Sequence, residues 1–203
     1  MVYNINMKAN EINTIVENVL SQEEIANLYD LVQASSKEML VEHYGQSVVD
    51  FDLPKSVEDK IISISESLSR ETNLEIAEYQ FARYVKVIDK DSGQEVLPQL
   101  WPHWDDAFEE PRFTFDYQIG GNTSWPLIVE EKEFTLKNNS ALTFSGTHQI
   151  HWREPKSFIE NEYLDMVFFH LKKRGAEPYP LSWAEEMNSR MQYYKTIYEG
   201  SKK

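Results

Sequence analysis

The spacing of hydrophobic residues changes twice along the chain, from helical to alternating and back to helical. In the first third, apolar residues recur every three or four positions, which places them on one face of a helix. This spacing predicts a helical stretch within residues 11–45 and a second helix from Ser56 to Asn73. Ser21 followed by Glu24 has the residue types of a capping box, so we expect a helix to begin there.

From residue 74 the hydrophobic period becomes two, and aromatic and β-branched residues are frequent, as is typical of strands. The predicted strands lie in residues 74–88, in RFTFDYQI (112–119), as a pair within 125–146 joined by a turn at Asn138 and Asn139, and in 162–173. Residues 183–200 again have helical spacing. At least five strands with flanking helices predict an α+β fold. A double-stranded β-helix (jelly roll) with an N-terminal helical layer and a C-terminal helix fits this order best.

The length favours a single domain. A chain of 203 residues can bury a large core without disulfides or metal ions as supports. No repeat, low-complexity segment or linker divides the sequence. We therefore expect one domain over residues 1–203, with a helical support layer (1–73), a jelly-roll core (74–175) and a C-terminal helix (176–203).

Composition excludes several classes of function. Acidic residues outnumber basic ones by 34 to 20, and the formal charge of −14 repels phosphate backbones, so nucleic-acid partners are disfavoured. The absence of cysteine excludes disulfides, zinc ribbons, iron–sulfur clusters and thiol catalysis. No apolar run approaches the length of a membrane span, and the N-terminal segment lacks the pattern of a secretory signal. The sequence therefore predicts a cytoplasmic protein with no membrane partner.

Histidine is the residue type that tells most about chemistry, and the chain has five. His43 lies beside Gly45 at a predicted helix end, where a cation complements the helix dipole. His170 follows three apolar residues in a predicted strand, which is typical of a hydrogen-bonded histidine of the core. Both residues are therefore interpreted as structural.

His103 and Asp105 form a His-x-Asp pair in the segment WPHWDD. Side chains alternate along a strand, so an imidazole and a carboxylate two residues apart point to the same side. Such a pair supplies two of the three ligands that hold iron(II) and leave three coordination positions open. The third ligand must come from a distant strand, and the segment 141–155 offers two histidines, His148 and His151.

Arg153 lies two residues after His151, so on a continuous strand both side chains face the same side. A guanidinium is always charged and can hold a carboxylate through two parallel hydrogen bonds. The pattern therefore predicts an anion site next to the metal site.

The order strand, His-x-Asp, strands, His and basic residue resembles the Fe(II)/2-oxoglutarate-dependent dioxygenases, and in particular the prolyl-4-hydroxylase-like branch. The resemblance covers residues 78–173, and the N-terminal helices also lie where that branch carries them. It implies iron ligands at His103, Asp105 and His151, with His148 as the rival for the distal position. It further implies Fe(II), 2-oxoglutarate and O₂ as cofactor and co-substrates, with ascorbate as an activator.

The resemblance also implies residues that bind the co-substrate. Tyr84, in the segment QFARY, matches a strand tyrosine that points at 2-oxoglutarate, and Tyr117 on the next sheet strand is a second candidate. Prolyl hydroxylases place a basic residue at a set distance after the distal histidine, but here that position is Asn161. Arg153 is therefore the candidate for the far carboxylate, with Lys172 as a lesser one.

Aromatic residues suggest the kind of substrate. Trp101, Trp104 and Trp125 lie beside prolines or in predicted loops, and we interpret them as pocket walls suited to a proline ring or another flat apolar group. The resemblance implies a hydroxylase that couples 2-oxoglutarate decarboxylation to C–H hydroxylation of a peptide or small-molecule substrate, either a peptidyl proline or a small amino-acid-like compound. Asp105 supports hydroxylation, because halogenating relatives carry a small residue there.

Two alternatives to the hydroxylase remain. One is a non-catalytic binding protein of the same fold, which the missing basic residue after the distal histidine supports. The other is a cupin-like metalloprotein that does not use 2-oxoglutarate. The three readings differ in whether the protein binds iron and whether it turns over 2-oxoglutarate.

Overall fold

The computed structural model describes residues 13–35, 40–41, 46–106, 110 and 112–200. Within these ranges the helices are α1 (Gln22–Ala34), α2 (Lys55–Ser69) and α3 (Leu181–Gly200). The strands are β1 (Thr14–Glu17), β2 (Leu40–Val41), β3 (Gln46–Val49), β4 (Leu74–Val85), β5 (Val87–Ile88), β6 (Glu95–Val96), β7 (Leu100–His103), β8 (Arg112–Gly121), β9 (Leu127–Val129), β10 (Lys132–Phe134), β11 (Ser140–Phe144), β12 (His151–Arg153) and β13 (Tyr163–Lys173). None of the described helices is long and apolar enough to cross a bilayer.

Two antiparallel sheets form the core, and this confirms the predicted double-stranded β-helix. The larger sheet has the strand order β1-β11-β8-β13-β4-β3-β2, and the smaller has the order β10-β9-β12-β7. From β7 to β13 the chain passes repeatedly from one sheet to the other, as in a jelly roll. β5 and β6 pair separately as a short ribbon.

The larger sheet is buried on both faces. Its helix-facing side packs on α1 and α2 in a layer that includes Leu28, Ile61, Phe81, Phe115 and Phe169. Its other side contributes to the layer between the sheets, which includes Leu127, Val129, Leu142, Phe144 and Met166. Polar residues on the inner face of this sheet therefore lie inside the protein and not in solvent.

α1 begins where the sequence predicts. The Ser21 hydroxyl accepts a hydrogen bond from the Glu24 N–H at 3.2 Å, and the Glu24 carboxylate accepts one from the Ser21 N–H at 2.7 Å. This reciprocal pair is a capping box. The Lys60 ammonium on α2 also donates to Glu24 at 2.6 Å, and it lowers the pKa of Glu24 together with the Ser21 bonds. The cap thus joins the two helices as well as starting the first.

The N-terminal third is less helical than the sequence predicts. α1 ends at Ala34 and not near residue 45, and three short strands lie at the edges of the larger sheet. β1 pairs with β11, and β3 pairs with β4. Strands this short are stabilised by partners far away in the sequence, which local spacing cannot reveal. Gly45 and His43, which we assigned to the helix end, lie outside the described residues.

The segment 125–146 contains three strands where two were expected. The turn at Asn138 and Asn139 is present, but it connects strands of different sheets. The hairpin turn lies between β9 and β10, at Glu130 and Glu131, whose φ angles are 49° and 69°. A two-residue hairpin turn of this kind requires the left-handed region at both positions, which Asn and Gly adopt far more easily. Because both turn positions are glutamates, this turn could not be recognised from the sequence.

The Glu130 carboxylate compensates for this strained turn. It accepts hydrogen bonds from the Ile150 N–H at 2.8 Å, from Arg190 at 2.6 Å and from the Tyr194 hydroxyl at 2.7 Å. Arg190 and Tyr194 belong to α3, and Ile150 directly precedes β12. One carboxylate thus holds the hairpin, the C-terminal helix and the start of β12 together.

Glu130→Ala is expected to destabilise the protein by about 2–4 kcal/mol, because it removes a charged acceptor and leaves buried donors without a partner. The measurement is urea unfolding of both proteins. Glu131→Ala is the matched control, since Glu131 is an exposed residue of the same turn with the same backbone strain. We expect the control to change stability by less than about 0.5 kcal/mol. Equal effects of the two substitutions would contradict the role of the Glu130 network.

α3 covers the outer face of the smaller sheet. Its buried residues pack with one side of β12 and with the residues that follow β7, in a cluster of Trp104, Ile150, Trp152, Trp183, Met187, Tyr194 and Tyr198. The C-terminal helix predicted from the spacing of residues 183–200 is present, and its buried aromatic residues pack on the smaller sheet.

Candidate metal centre

His103, Asp105 and His151 lie together between the two sheets. His103 ends β7, Asp105 follows two residues later, and His151 begins β12. One ligand atom from each residue lies within 4.8 Å of the others. The Asp105 Oδ1 atom is 3.4 Å from His151 Nε2 and 3.9 Å from His103 Nε2. In the described part of the chain, these are the residues whose donor atoms converge as a metal-binding group.

An irregularity in strand pairing brings both histidines to one face. His151 lies opposite His103, but Arg153, two residues later, lies opposite Leu100, three residues earlier. β7 therefore contains one extra residue, a β-bulge, which shifts the alternation of its side chains. Because cross-strand partners share a face, the bulge keeps both His103 and Leu100 on the inner side.

Both imidazoles are oriented by the backbone. His103 Nδ1 lies 2.8 Å from the carbonyl oxygen of Trp101, and His151 Nδ1 lies 3.1 Å from that of Gln149. A carbonyl oxygen can only accept, so each Nδ1 carries a proton and each ring directs Nε2 towards Asp105. Histidines that bind metals are held in this way, because the second nitrogen fixes both the tautomer and the ring orientation.

Asp105 is a buried carboxylate held from several sides. Its backbone N–H donates to the Gly146 carbonyl at 3.0 Å, and its Oδ2 accepts from the Thr114 hydroxyl at 2.8 Å. His170 Nδ1 lies 3.6 Å from the same Oδ2. Burial by itself would raise the pKa of Asp105, but the nearby histidines outweigh this effect and hold the pKa well below its usual range. Asp105 is therefore ionised, with Oδ1 directed at the two ligand histidines.

The protonation of the two histidines also suits a cation. Burial, together with the charge of His151, lowers the pKa of His103 to about 4. Burial would lower the pKa of His151 as well, but Asp105 outweighs it and raises that pKa. A metal ion needs deprotonated ligands. A divalent cation fits here, since it satisfies Asp105 in place of the proton on His151. Two imidazoles and one carboxylate are also the donor set that holds non-haem Fe(II).

Arg153, Tyr84 and Trp125, all predicted at the site, form a second cluster between the sheets. Arg153 is 3% exposed, its guanidinium donates to the Trp125 carbonyl, and it lies 5.0 Å from the centre of the Trp125 ring. The rings of Tyr84 and Trp125 are 4.9 Å apart. Burial lowers the pKa of Arg153, although the charges of Asp116 and Tyr84 oppose this shift. A buried positive group therefore lies two residues along β12 from His151.

Trp101 and Trp104 do not line the site, contrary to expectation. Trp101 is 40% exposed, and its ring lies 5.0 Å from that of Tyr198 on α3. Trp104 also packs on α3, where its indole N–H donates to Asn188 at 3.2 Å. Both tryptophans lie on the outer side of the smaller sheet, because the bulge and strand alternation direct the ligand residues, and not the tryptophans, inwards.

Tyr117 is likewise on the wrong face for the role that the resemblance implied. It belongs to the buried layer beneath the helices, and its hydroxyl donates to Asn139 Oδ1 at 3.0 Å. On β8 the neighbouring positions Thr114 and Asp116 face inwards, and alternation places Tyr117 on the opposite side. The structure therefore does not bring Tyr117 to the metal centre.

His148 and Lys172 have partners of their own. His148 Nδ1 lies 2.9 Å from the Ser145 hydroxyl oxygen, and its ring lies 4.8 Å from that of Trp183. Burial lowers the pKa of His148 to about 4. The Lys172 ammonium donates to the Glu110 carboxylate at 2.9 Å. The structure thus brings His151, and not its rival His148, to the other two ligands.

Three polar residues near the centre were not assigned to the site from the sequence. Thr114 and Asp116 lie on the inner face of β8, and His170, which we assigned to the core, lies beside Asp105 on β13. The signal was present in RFTFDYQI (112–119), where every polar residue occupies an even-numbered position and therefore the same face of the strand. In a half-buried strand a polar face lies in solvent, whereas here it faces the smaller sheet.

No protein-family model and no curated protein matches the sequence, but solved structures match the fold. A viral collagen prolyl hydroxylase from Paramecium Bursaria Chlorella virus-1, solved as its 2OG complex, is 12% identical with a TM-score of 0.58, covering 80% of this chain and 97% of that chain. The alpha-ketoglutarate-dependent epimerase SnoN from nogalamycin biosynthesis is 14% identical with a TM-score of 0.63, covering 84% and 81%. HygX from Streptomyces hygroscopicus, solved with nickel and 2-oxoglutarate, is 9% identical with a TM-score of 0.59, covering 86% and 88%.

These matches agree with the two-sheet topology of this chain. His103, Asp105 and His151 lie between the two sheets of that jelly roll. The chain therefore has the double-stranded β-helix fold of the 2OG-Fe(II) oxygenases, a group whose solved structures include a prolyl hydroxylase.

Proposed function

We propose that this protein is an Fe(II)/2-oxoglutarate-dependent hydroxylase in which His103, Asp105 and His151 hold the iron. The observation that carries the proposal is the convergence of their three ligand atoms within 4.8 Å, with each imidazole oriented through Nδ1. Such a group leaves coordination positions open for other ligands. When bound, iron supplies the reaction of 2-oxoglutarate with O₂ that drives C–H hydroxylation.

The side chains around the centre bind, orient and exclude water. Arg153 would hold the far carboxylate of 2-oxoglutarate, and Tyr84 contacts the same Trp125 ring that Arg153 contacts. Trp125 packs on both and restricts their movement. The Phe144 ring lies 4.9 Å from the His151 ring and shields that ligand from water. Exclusion of water around these groups would strengthen the charge interactions between them.

The proposal is tested by anaerobic titration of the Fe(II)-loaded protein with 2-oxoglutarate, which follows the visible charge-transfer band of the chelated complex. Admission of O₂ should then produce succinate, with ascorbate sustaining turnover. Asp105→Ala is the control that should show neither band nor succinate. Iron binding without a band would instead favour a metalloprotein that does not use 2-oxoglutarate, and absence of iron binding would favour a non-catalytic binding protein.

Arg153→Met is expected to weaken 2-oxoglutarate binding about 30- to 1,000-fold, since removing one partner of a buried charge pair costs about 2–4 kcal/mol. The measurement is the dissociation constant from the same anaerobic titration. Lys172→Met is the matched control, because it also removes one cation but leaves the Arg153 cluster intact. If Lys172→Met weakened binding and Arg153→Met did not, Lys172 and not Arg153 would be the residue that binds the far carboxylate.

We further propose that the substrate is a peptidyl proline or a small amino-acid-like molecule. The prolyl-hydroxylase-like order of the motif supports this proposal. Of the three tryptophans expected to form pocket walls, Trp125 lies in the interior, whereas Trp101 and Trp104 pack on α3. Substrates differ widely among matching structures, so candidate peptides and amino acids must be assayed directly. The readout is a mass increase of one oxygen atom that depends on both iron and 2-oxoglutarate.

A further inference from the structure

The two oxygens of the Asp105 carboxylate have different surroundings. Oδ1 lies 3.4 Å from His151 Nε2 and 3.9 Å from His103 Nε2, where the three ligand residues converge. Oδ2 instead accepts a hydrogen bond from the Thr114 hydroxyl at 2.8 Å. Asp105 thus offers one oxygen to a metal ion, while the protein itself holds the other.

The larger sheet and the loop after β11 provide the surroundings of Oδ2. Thr114 is 2% exposed on the inner face of β8, and His170 lies directly opposite it on β13. His170 Nδ1 is 3.6 Å from Oδ2, which is too long for a hydrogen bond, so the Thr114 hydroxyl is the group that fixes this oxygen. Gly146 leaves room for the contact, since a Cβ atom there would overlap both Oδ2 and the Thr114 hydroxyl.

We infer that Thr114 is a positioning residue that restricts Asp105 to coordination through one oxygen and so keeps a third position open on the metal ion. This inference rests on the proposed function, because it takes His103, Asp105 and His151 to hold a six-coordinate cation. Three ligands that bind through one atom each leave three positions, whereas a carboxylate that binds through both oxygens leaves two. A chelating 2-oxo acid fills two positions, so the third is the one that remains for O₂.

The physical reason is the cost of a buried, charged oxygen that has no hydrogen-bond donor. Asp105 is ionised and buried, and leaving one of its oxygens without a donor costs more than it would for a neutral group. Without the Thr114 hydroxyl, Oδ2 would gain most by turning towards the cation that Oδ1 already binds. With the hydroxyl present, the same rotation would break a charge-assisted hydrogen bond.

The test counts the water molecules on bound Mn(II), which favours octahedral coordination and needs no co-substrate. Water-proton relaxation gives the count, because waters on the ion exchange with the solvent. Thr114→Val removes the donor but keeps a branched side chain that suits a strand, and Thr114→Ser retains the donor. Thr143→Val is the matched control, since Thr143 is also a buried threonine of the larger sheet but lies opposite Phe115 of the helix-facing layer.

We expect about three waters on Mn(II) in the wild type, in Thr114→Ser and in Thr143→Val. In Thr114→Val the count should fall to about two, so that the relaxation enhancement for each bound ion decreases by about one third. Because two positions remain, Thr114→Val should still bind 2-oxoglutarate when loaded with Fe(II). Its succinate formation should fall by about 10-fold or more, and Thr114→Ser should restore it.

A wild-type water count in Thr114→Val would overturn the inference and leave the proposed metal centre intact. Loss of Mn(II) from a folded Thr114→Val would also overturn it, because the carboxylate would have left the ion instead of gaining a second contact. Thr114→Ala, which likewise lacks the donor, replaces Thr114→Val if that variant does not fold. A count near two in the wild type would by itself refute the inference.

The proposed function can fail separately. About three waters on Mn(II) in the wild type, without binding of 2-oxoglutarate to the Fe(II) protein, would refute the co-substrate and not the role of Thr114. If the wild type bound neither Mn(II) nor Fe(II), the proposed function and the inference would fail together.

Discussion

Replacing His151 by alanine is expected to abolish metal binding, whereas replacing His148 leaves it intact. His151 Nε2 lies 3.4 Å from Asp105 Oδ1 and belongs to the converging group of ligand atoms. Loss of a direct ligand should weaken affinity by more than about 100-fold, the upper range for residues that merely support a ligand. The measurement is Fe(II) affinity by anaerobic calorimetry, with metal content after dialysis as a second readout.

His148→Ala is the matched control for this prediction. The two histidines are three residues apart and both buried or partly buried, but His148 contacts Ser145 and Trp183 and not the other ligands. Its loss should cost about 1–2 kcal/mol of stability through lost packing, with unchanged metal affinity. The reverse pattern, loss of iron in His148→Ala alone, would show that the distal ligand has been assigned to the wrong histidine.

Gly146→Ala is expected to disrupt the proposed metal centre although it replaces none of the ligand residues. A Cβ atom at Gly146 would lie 1.8 Å from Asp105 Oδ2 and 2.2 Å from the Thr114 hydroxyl oxygen. Neither group can stay in place, so Asp105 must turn away and its hydrogen bond from Thr114 must break. The carboxylate then no longer points Oδ1 at the histidines, and Fe(II) affinity should fall by about 100-fold or more.

Gly200→Ala is the control for Gly146→Ala, because a Cβ at Gly200 meets nothing within 4 Å. Gly200 lies in α3, where alanine is the better helix former, so stability should stay the same or rise slightly. Metal affinity and thermal unfolding are measured for both variants. Wild-type affinity in Gly146→Ala would mean that the Asp105 carboxylate does not occupy the position described above.

Local sequence patterns predicted the longer elements correctly. The capping box at Ser21 marked the start of α1 through its residue types alone. The alternation through β4, β8 and β13 and the helical spacing of the C-terminal helix extend over enough residues for their period to be visible. The patterns failed where pairing with distant strands decides the outcome. β1 and β3 are four residues each, and the β9–β10 turn uses glutamates in place of the usual turn residues.

The candidate site was also predicted only in part, and again the part that failed depends on contacts between distant residues. The spacing of His103 and Asp105, followed by a distant histidine and Arg153, identified residue types that suit an iron centre with a neighbouring anion site. The same spacing could not choose between His148 and His151, because the choice depends on how the chain turns after Gly146. Trp101 and Trp104 were placed in the pocket because they lie beside a proline or in a predicted loop, and the bulge in β7 that turns them outwards cannot be recognised from the sequence.

The sequence by itself determined which chemistry the chain can support, because ligand type, charge and strand periodicity are properties of residues and their spacing. Only the tertiary structure decided which face of each strand is the inner one. That choice depends on the smaller sheet and the helices covering opposite sides of the larger sheet, contacts that join residues far apart in the chain. It directed Thr114 and Asp116 inwards and Tyr117 outwards, and so determined which side chains surround the candidate metal centre.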